Sequence, residues 1–536
     1  MAPLVDRHCV DCHQPGGIGP FRLDTYEDLT AGDGAVARLA LQEMEAGRMP
    51  PWLPDPDCRP LRDQRVLTDG DKDVFRRWID AGFPRGADTV GDDGDEDAAG
   101  ADFPATHTLA VSEGYTPDPE RPDDYRCFIL DVDEDRDLYL RGTRVVPDAD
   151  AIVHHVLLYA LEPSQRAQVE QADADEAGPG YTCFGAPLPT AEGGADGLVD
   201  AVSESGFGLP QTLAGWVPGM LPEVSDPGMA TRIPAGSPLV VQMHYNLLTS
   251  DPIEDATVVE LILDDEPPEQ LTRMRPAPIL DLDIPAGDPA ARHELVYRNY
   301  GDDPLVIRSL LAHMHLLGKE MTATVTRAGG GEEEACLLDI PDWDFDWQQT
   351  YTLPADDLET LAPGDGFRLS CVHDNSVENQ AVVDGERLTP VDVSWGDGSL
   401  DEMCLLYVET VEPYAPRPLE PPPRCAAAPD CLEDCEGPRA ECLLSCQALD
   451  FDCAVCSIEG LVDCAATPDA CGLPFLQAQE CLFACGTNSL ILEGSIGRCM
   501  ESECPAAYAS LTGCLEERID DAACQDSVQA CGLTEL

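Results

Sequence analysis

Between residues 105 and 418 apolar and polar positions alternate in short runs. Examples are Cys127-Phe-Ile-Leu-Asp-Val and Ala151-Ile-Val-His-His-Val-Leu-Leu-Tyr, set between Gly, Pro and Asp clusters. Period-two alternation bounded by turn residues predicts antiparallel strands. The length of the stretch fits two β-sandwiches, dividing near Pro267 to Pro278. A helical period appears earlier, where Val74, Phe75, Trp78 and Ile79 share one face. Thr68 is the expected N-cap, Asp71 completes a capping box, and Gly82 and Pro84 stop the helix. Residues 86–97 read as an acidic, solvated linker whose spacing does not match an EF-hand. Pro416, Pro418 and Pro421 to Pro423 form a stiff spacer. Beyond it, Cys-Leu-x-x-Cys recurs at 431/435, 442/446 and 481/485. That spacing puts both cysteines on one helical face and predicts short cross-linked helices. The offset of 50 between 431/481, 435/485 and 464/514 suggests an internal duplication.

The charge changes which partners are reasonable. With 102 acidic against 32 basic residues the formal charge is -70, and Lys72 and Lys319 are the two lysines. Such a field repels nucleic acid and anionic membranes, although a saline habitat produces the same surface. Of the 24 cysteines, eight precede residue 420 and sixteen follow it, which points to an oxidising compartment and a disulfide-stapled tail. No histidine follows His373, so disulfides are preferred to zinc there. No apolar run reaches 18 residues, so no membrane span is expected, and no export signal is visible. The expected location is the periplasm, the cell surface or the medium. Because a haem-type motif starts at residue 9, the chain is expected to begin inside a domain, without its first helix and export signal.

That motif is Cys9-Val-Asp-Cys12-His13, the C-x-x-C-H of c-type haem attachment. Two thiols form thioethers to the haem, and the adjacent histidine is the proximal iron ligand. Gly16-Gly17-Ile18-Gly19-Pro20 leaves room at the porphyrin edge, and Met49, in Gly47-Arg48-Met49-Pro50-Pro51-Trp52, can supply a distal thioether. The blander alternative for Met49 is a methionine filling a gap in the core. Residues 1–86 resemble a small class I cytochrome c, with the helix carrying Trp78 packed on the haem.

Five of the ten histidines form a second constellation. His154-His155 is an adjacent pair, His244 lies in Gln242-Met243-His244-Tyr245-Asn246, and His313-Met314-His315 puts two imidazoles on one face of a strand. Met403 follows in Asp401-Glu402-Met403-Cys404. Imidazole with thioether suits copper cycling between two oxidation states and suits zinc, magnesium or calcium poorly.

In these motifs, and in His313-x-His315-Leu-Leu-Gly-Lys and Met403-Cys404-Leu-Leu-Tyr407, residues from about 110 to 412 resemble the copper type II, ascorbate-dependent monooxygenases. That family includes peptidylglycine α-hydroxylating monooxygenase and dopamine β-monooxygenase. The resemblance implies two jelly-roll sandwiches, each with one copper, facing each other across a wet cleft. His154, His155 and His244 would hold an electron-transfer copper. His313, His315 and Met403 would hold the copper that meets oxygen, with Tyr407 nearby. The resemblance also implies a disulfide between Cys371 and Cys404, and Cys127 could pair with Cys183. Peptide-amidating members carry an arginine and an asparagine where this chain has Leu311 and Leu405. Leucine cannot replace a bidentate carboxylate clamp, so a less polar substrate is expected.

The reading is a multidomain, mainly β chain. It comprises a cytochrome c-like α-helical haem domain (1–86), an acidic linker (87–108), a first copper β-sandwich (109–270) and a second, catalytic one (271–414). A Pro-rich spacer (415–424) and a Cys-rich disulfide-stapled helical tail (425–536) follow. The expected activity is hydroxylation of a C–H bond of a small, rather apolar substrate by O2. Two copper ions and haem c are the expected cofactors, and electrons enter from ascorbate or a redox protein. The alternative is a copper- and haem-binding electron carrier without catalysis.

Overall fold

The computed structural model describes residues 2–86, 103–189, 210–415 and, in part, 478–518. Gaps fall inside these ranges at 11–12, 15–18, 20, 63, 65, 112–113, 131, 133–134, 150, 184–186, 219, 221, 249, 329–334, 346 and 384–385. Cys12, most of the glycine-rich run after it, the acidic linker from 87 to 102, the Pro-rich spacer and the Cys-rich segment up to 477 lie outside the described residues.

The N-terminal unit is helical, with helices Ala2–His8, Tyr26–Leu29, Ala31–Glu45 and Asp69–Asp80. Thr68 and Asp71 form the expected capping box at the start of the last. The sequence pattern predicts no helix ahead of Cys9, yet Ala2–His8 precedes it; seven residues are too few to display a 3.6 period. Val5, Leu29, Ala37, Met44 and Phe75 make a small separate core. Gly34 is required there: its φ is 81°, and a Cβ would lie 2.1 Å from the Phe83 ring.

Residues 52–62 leave this unit and join the β region, although the sequence pattern places them in the helical unit. Asp55 and Arg62 donate backbone hydrogen bonds to Asp339 and Thr352, each at 2.7 Å. Cys58 is disulfide-bonded to Cys336, and Leu61 enters the β core.

Three main sheets build the β region. A ten-stranded sheet runs His107–Ala110, Val258–Asp264, Leu138–Val146, Met229–Ile233, Gln270–Pro278, Leu405–Pro413, Leu305–His313, Thr350–Thr352, with two short strands off this path. A five-stranded sheet, centred on Leu239–Asn246, shares a core with its first half; this core includes Phe128, Leu158, Val241 and Leu261. A four-stranded sheet, centred on Gly366–His373 and Gly318–Thr326, shares a second core with the other half, including Leu310, Leu369, Leu406 and Val408.

Two hydrophobic cores therefore share one continuous sheet. The expected division near Pro267 to Pro278 falls on the strand Gln270–Pro278, which joins the halves through a short parallel pairing of Gln270 with Met229 and Leu271 with Ala230. From Thr272 onward that side of the strand is an edge, where Pro276 and Pro278 are tolerated because no second neighbour needs their N–H.

Cys481 and Cys485, one helical turn apart, pair with Cys504 and Cys499, on or just past the helix Ile496–Glu503. This region docks on the second half: Leu492 enters its core and Asn488 pairs with the Arg298 backbone. No helix among the described residues is long and apolar enough to cross a membrane.

Candidate metal centre

The first histidine group grows from the five-stranded sheet. His155 and His244 are direct cross-strand partners on Val153–Ala160 and Leu239–Asn246. Adjacent residues of a regular strand face opposite sides, so His154 and His155 would not normally meet one site. A register shift between Val153 and His155 solves this by kinking the strand. One ring nitrogen from each of His154, His155 and His244 lies within 4.8 Å of the other two. The Nδ1 atoms of all three are buried and make no hydrogen bond. His244 donates from Nε2 to Asp123 Oδ1 at 2.8 Å, which leaves its Nδ1 lone pair available. Its ring stacks on Tyr125 at 4.1 Å. Burial opposes ionisation of Asp123, but hydrogen bonds from His244 and Ser399 hold its carboxyl below the usual range.

The second group is built differently. His313 closes the strand Leu305–His313, whereas His315 lies past its end. The period-two reading of this pair therefore fails, and its alignment has another cause. Glu402, fully buried, accepts the backbone N–H of both His315 and Met403 on Oε2, at 3.0 Å each, and that of Leu317 on Oε1 at 2.6 Å. One carboxylate oxygen thus holds the two residues side by side. His313 Nδ1 donates to Gln348 Oε1 at 2.6 Å, and His315 Nδ1 to the Asp401 carbonyl at 3.2 Å. Both rings are left with Nε2 as the free donor atom. His373 holds the Met403 carbonyl from Nε2 at 3.2 Å.

Met403 is buried with Leu311, Leu405 and Tyr407 in one apolar cluster. Leu405 is the register partner of His313, and Tyr407 that of Leu311. The positions lacking arginine and asparagine are therefore packed apolar surface beside the histidines.

Burial lowers the pKa of His154, His155 and His315 well below the ordinary value and that of His313 to about 4. These four imidazoles are neutral at pH 7, the form that binds a metal. The chemistry of the donor sets, nitrogen with one thioether, fits copper.

No wet cleft separates the two groups. The His155 and His313 rings are 5.7 Å apart, and Phe345 from the second half stacks on His154 at 4.2 Å. The loop before Met403 reaches both: Ser399 donates its N–H and hydroxyl to Asp123, and Tyr125 donates to the Asp397 carbonyl at 2.5 Å. Asp123, Gln348, Phe345, Ser399 and Glu402 were missed by sequence reasoning. Only Glu402, beside Met403 in the motif, carried any local signal.

Cys371 is disulfide-bonded to Cys404, and Cys127 to Cys183. In the helical unit His13 is buried and donates from Nδ1 to the Phe21 carbonyl at 2.7 Å. Cys9 is partly buried against the same small core, and Met49 is 38% exposed.

No curated protein matches the chain. Among solved structures, the major capsid protein P2 from bacteriophage PM2 is similar at 10% identity over 58% of this chain and 98% of its own. Its TM-score of 0.22 is too low to bear on fold or function. Residues 301–416, which carry His313, His315, Met403 and Tyr407, match the family of the copper type II ascorbate-dependent monooxygenase, C-terminal domain.

Proposed function

We propose that the protein is a copper-dependent monooxygenase that hydroxylates a C–H bond of a small molecule. His154, His155 and His244 would hold one copper through Nδ1; His313 and His315, through Nε2, with Met403 would hold the other. The observation that carries this reading is the convergence of five imidazoles from two halves of the chain, His155, His244 and His315 buried and His154 and His313 half-buried, with their metal-facing nitrogens turned away from other hydrogen bonds. Bound copper supplies a centre that cycles between Cu(I) and Cu(II) and activates O2. Overall, one O2, two electrons and two protons convert R–H to R–OH and water, with ascorbate or a redox protein as donor.

The chain's own residues prepare this chemistry. Asp123 keeps the His244 proton on Nε2, and Gln348 keeps the His313 proton on Nδ1, so the metal-facing nitrogens stay unprotonated. Phe345 stacks on His154 and holds its ring in place beside the second group. Glu402 sets the spacing of His315 and Met403.

The N-terminal unit would carry haem c through Cys9 and Cys12. His13 bonds the Phe21 carbonyl from Nδ1, which turns Nε2 free for iron. Met49 is the distal ligand in this reading, and the haem is the electron entry point. The disulfides fit an oxidising compartment, periplasmic or extracellular.

Metal analysis and oxygen uptake on the full chain test the reading. Two coppers, one acid-stable haem and substrate-coupled O2 consumption, lost on copper chelation, are expected. Bound copper without product formation would instead mark an electron carrier.

A further inference from the structure

A cavity of about 500 Å³ lies where the two halves meet, within the size range of small-molecule sites, roughly 300–1,000 Å³. Three parts of the chain line it: Trp52 from the segment after the helical unit, Met220 and Glu223 from the first half, and Met274, Gln349 and Glu409 from the second. Glu409 lies two residues beyond Tyr407 and four beyond Leu405 on one strand, so it shares their face of the sheet. Ser309, four residues before His313, donates to it at 2.6 Å. The cavity therefore continues the surface that begins at the second histidine group. The stretch between is apolar, with Leu311, Leu405, Tyr407 and Met403 in one cluster and Met274 packed against it.

The polarity of the cavity has a definite form. Its arginines are already paired: Arg308 with Glu409 at 2.6 Å and Asp226 at 3.1 Å, Arg62 with Asp226 at 2.6 Å, and Arg141 with Asp264. Glu223 faces no such partner at contact distance; its hydrogen bond is to Thr350, and burial pushes its carboxyl up to about 7. Trp52 Nε1 and Gln349 Nε2 are buried donors with no hydrogen-bond partner. A buried donor left without an acceptor is unfavourable, so a ligand that supplies acceptors is favoured. An anion would meet no unpaired cation and a cation would leave both donors empty, whereas an oxygen-rich neutral group satisfies both donors and can give a hydroxyl hydrogen to Glu223.

We propose that this cavity binds the polar end of the substrate, a neutral group bearing hydroxyl or carbonyl oxygens, while an apolar arm runs over Leu311, Leu405 and Tyr407 toward the histidines. The proposal rests on the monooxygenase reading for the fate of the arm, but not for the binding of the head.

The test uses the full copper-loaded chain with 1-phenylethane-1,2-diol as probe, against ethylbenzene, 2-phenylethylamine and phenylacetate. Calorimetry should show the diol binding about 10-fold more tightly than each of the others, the scale of one or two satisfied buried hydrogen bonds. Glu223→Leu and Trp52→Phe should each remove most of that preference and leave ethylbenzene unchanged. If Glu223→Leu fails to fold, Trp52→Phe, which keeps an aromatic side chain but lacks the N–H donor, decides, with unchanged ethylbenzene binding as the control for the smaller ring. Tighter binding of the amine or the carboxylate, or a diol preference untouched by the variants, overturns the proposal. Variant-sensitive diol binding without oxygen uptake supports the cavity site and sinks the monooxygenase reading. Oxygen uptake with ethylbenzene and no diol preference does the reverse.

Discussion

In the first histidine group two of the three residues are locked in neighbouring strands, and the third is turned inward by a register shift next to them. In the second group His313 ends a strand, and His315 and Met403 lie outside any strand, held by the buried carboxylate of Glu402. One group is a product of the β-ladder; the other is a product of a single side chain acting on loop backbone. The ladder distributes its stabilisation over many backbone hydrogen bonds and tolerates local change. The Glu402 clamp concentrates it on one residue, so the two groups should fail in different ways.

The largest separation should come from Glu402→Leu. It leaves the amides of His315, Leu317 and Met403 buried without acceptors, at about 1–3 kcal/mol each. Denaturant unfolding should show a loss of at least about 3 kcal/mol, with copper lost from the second group first. Equal loss of both coppers would break the comparison.

Met403→Ala comes next. Turnover should fall roughly 100-fold while two coppers remain, because the thioether tunes the metal and the imidazoles of His313 and His315 still hold it. Parental turnover with both coppers bound would show that the second group is not the catalytic one.

Asp123→Asn probes the first group. Loss of the carboxylate that orients His244 should weaken copper there by about 10-fold, read by competition with a chelator, while the second group keeps its affinity. A change of the same size at both groups would mean that the Ser399 loop, which also touches Asp123, transmits the damage.

The smallest effect on either group is expected from Met49→Ala. It should lower the haem potential, leave the haem attached and leave the copper content unchanged. An unaltered potential would remove Met49 as the distal ligand.

Much of this was legible in the chain. The alternation around Cys127 and Ala151 predicts the strands Asp123–Leu130 and Val153–Ala160, and the Thr68/Asp71 signature predicts the start of the helix Asp69–Asp80. Residue types also singled out the histidines and the methionine that the structure brings together, since imidazole pairs and a methionine are rare in such an order. Spacing arguments served less well. Strand periodicity predicts that His313 and His315 share a face, but the strand stops at His313. The relation of His154 to His155 depends on a bulge, and an extra residue in a ladder leaves no mark on the pattern of a single strand.

The sequence by itself determined the element types, the donor chemistry of the histidine sets and the separation of a helical unit from a β region, because these follow from local periodicity and side-chain identity. Tertiary structure alone decided the union of both halves through one sheet, the pairing of Cys58 with Cys336 across 278 residues, and the 5.7 Å approach of His155 to His313. It also decided that Asp123, among many acids in a strongly acidic chain, braces the His244 ring. Contacts of this kind join residues far apart along the chain, so their partners are selected by the packing of whole sheets, which no local pattern encodes.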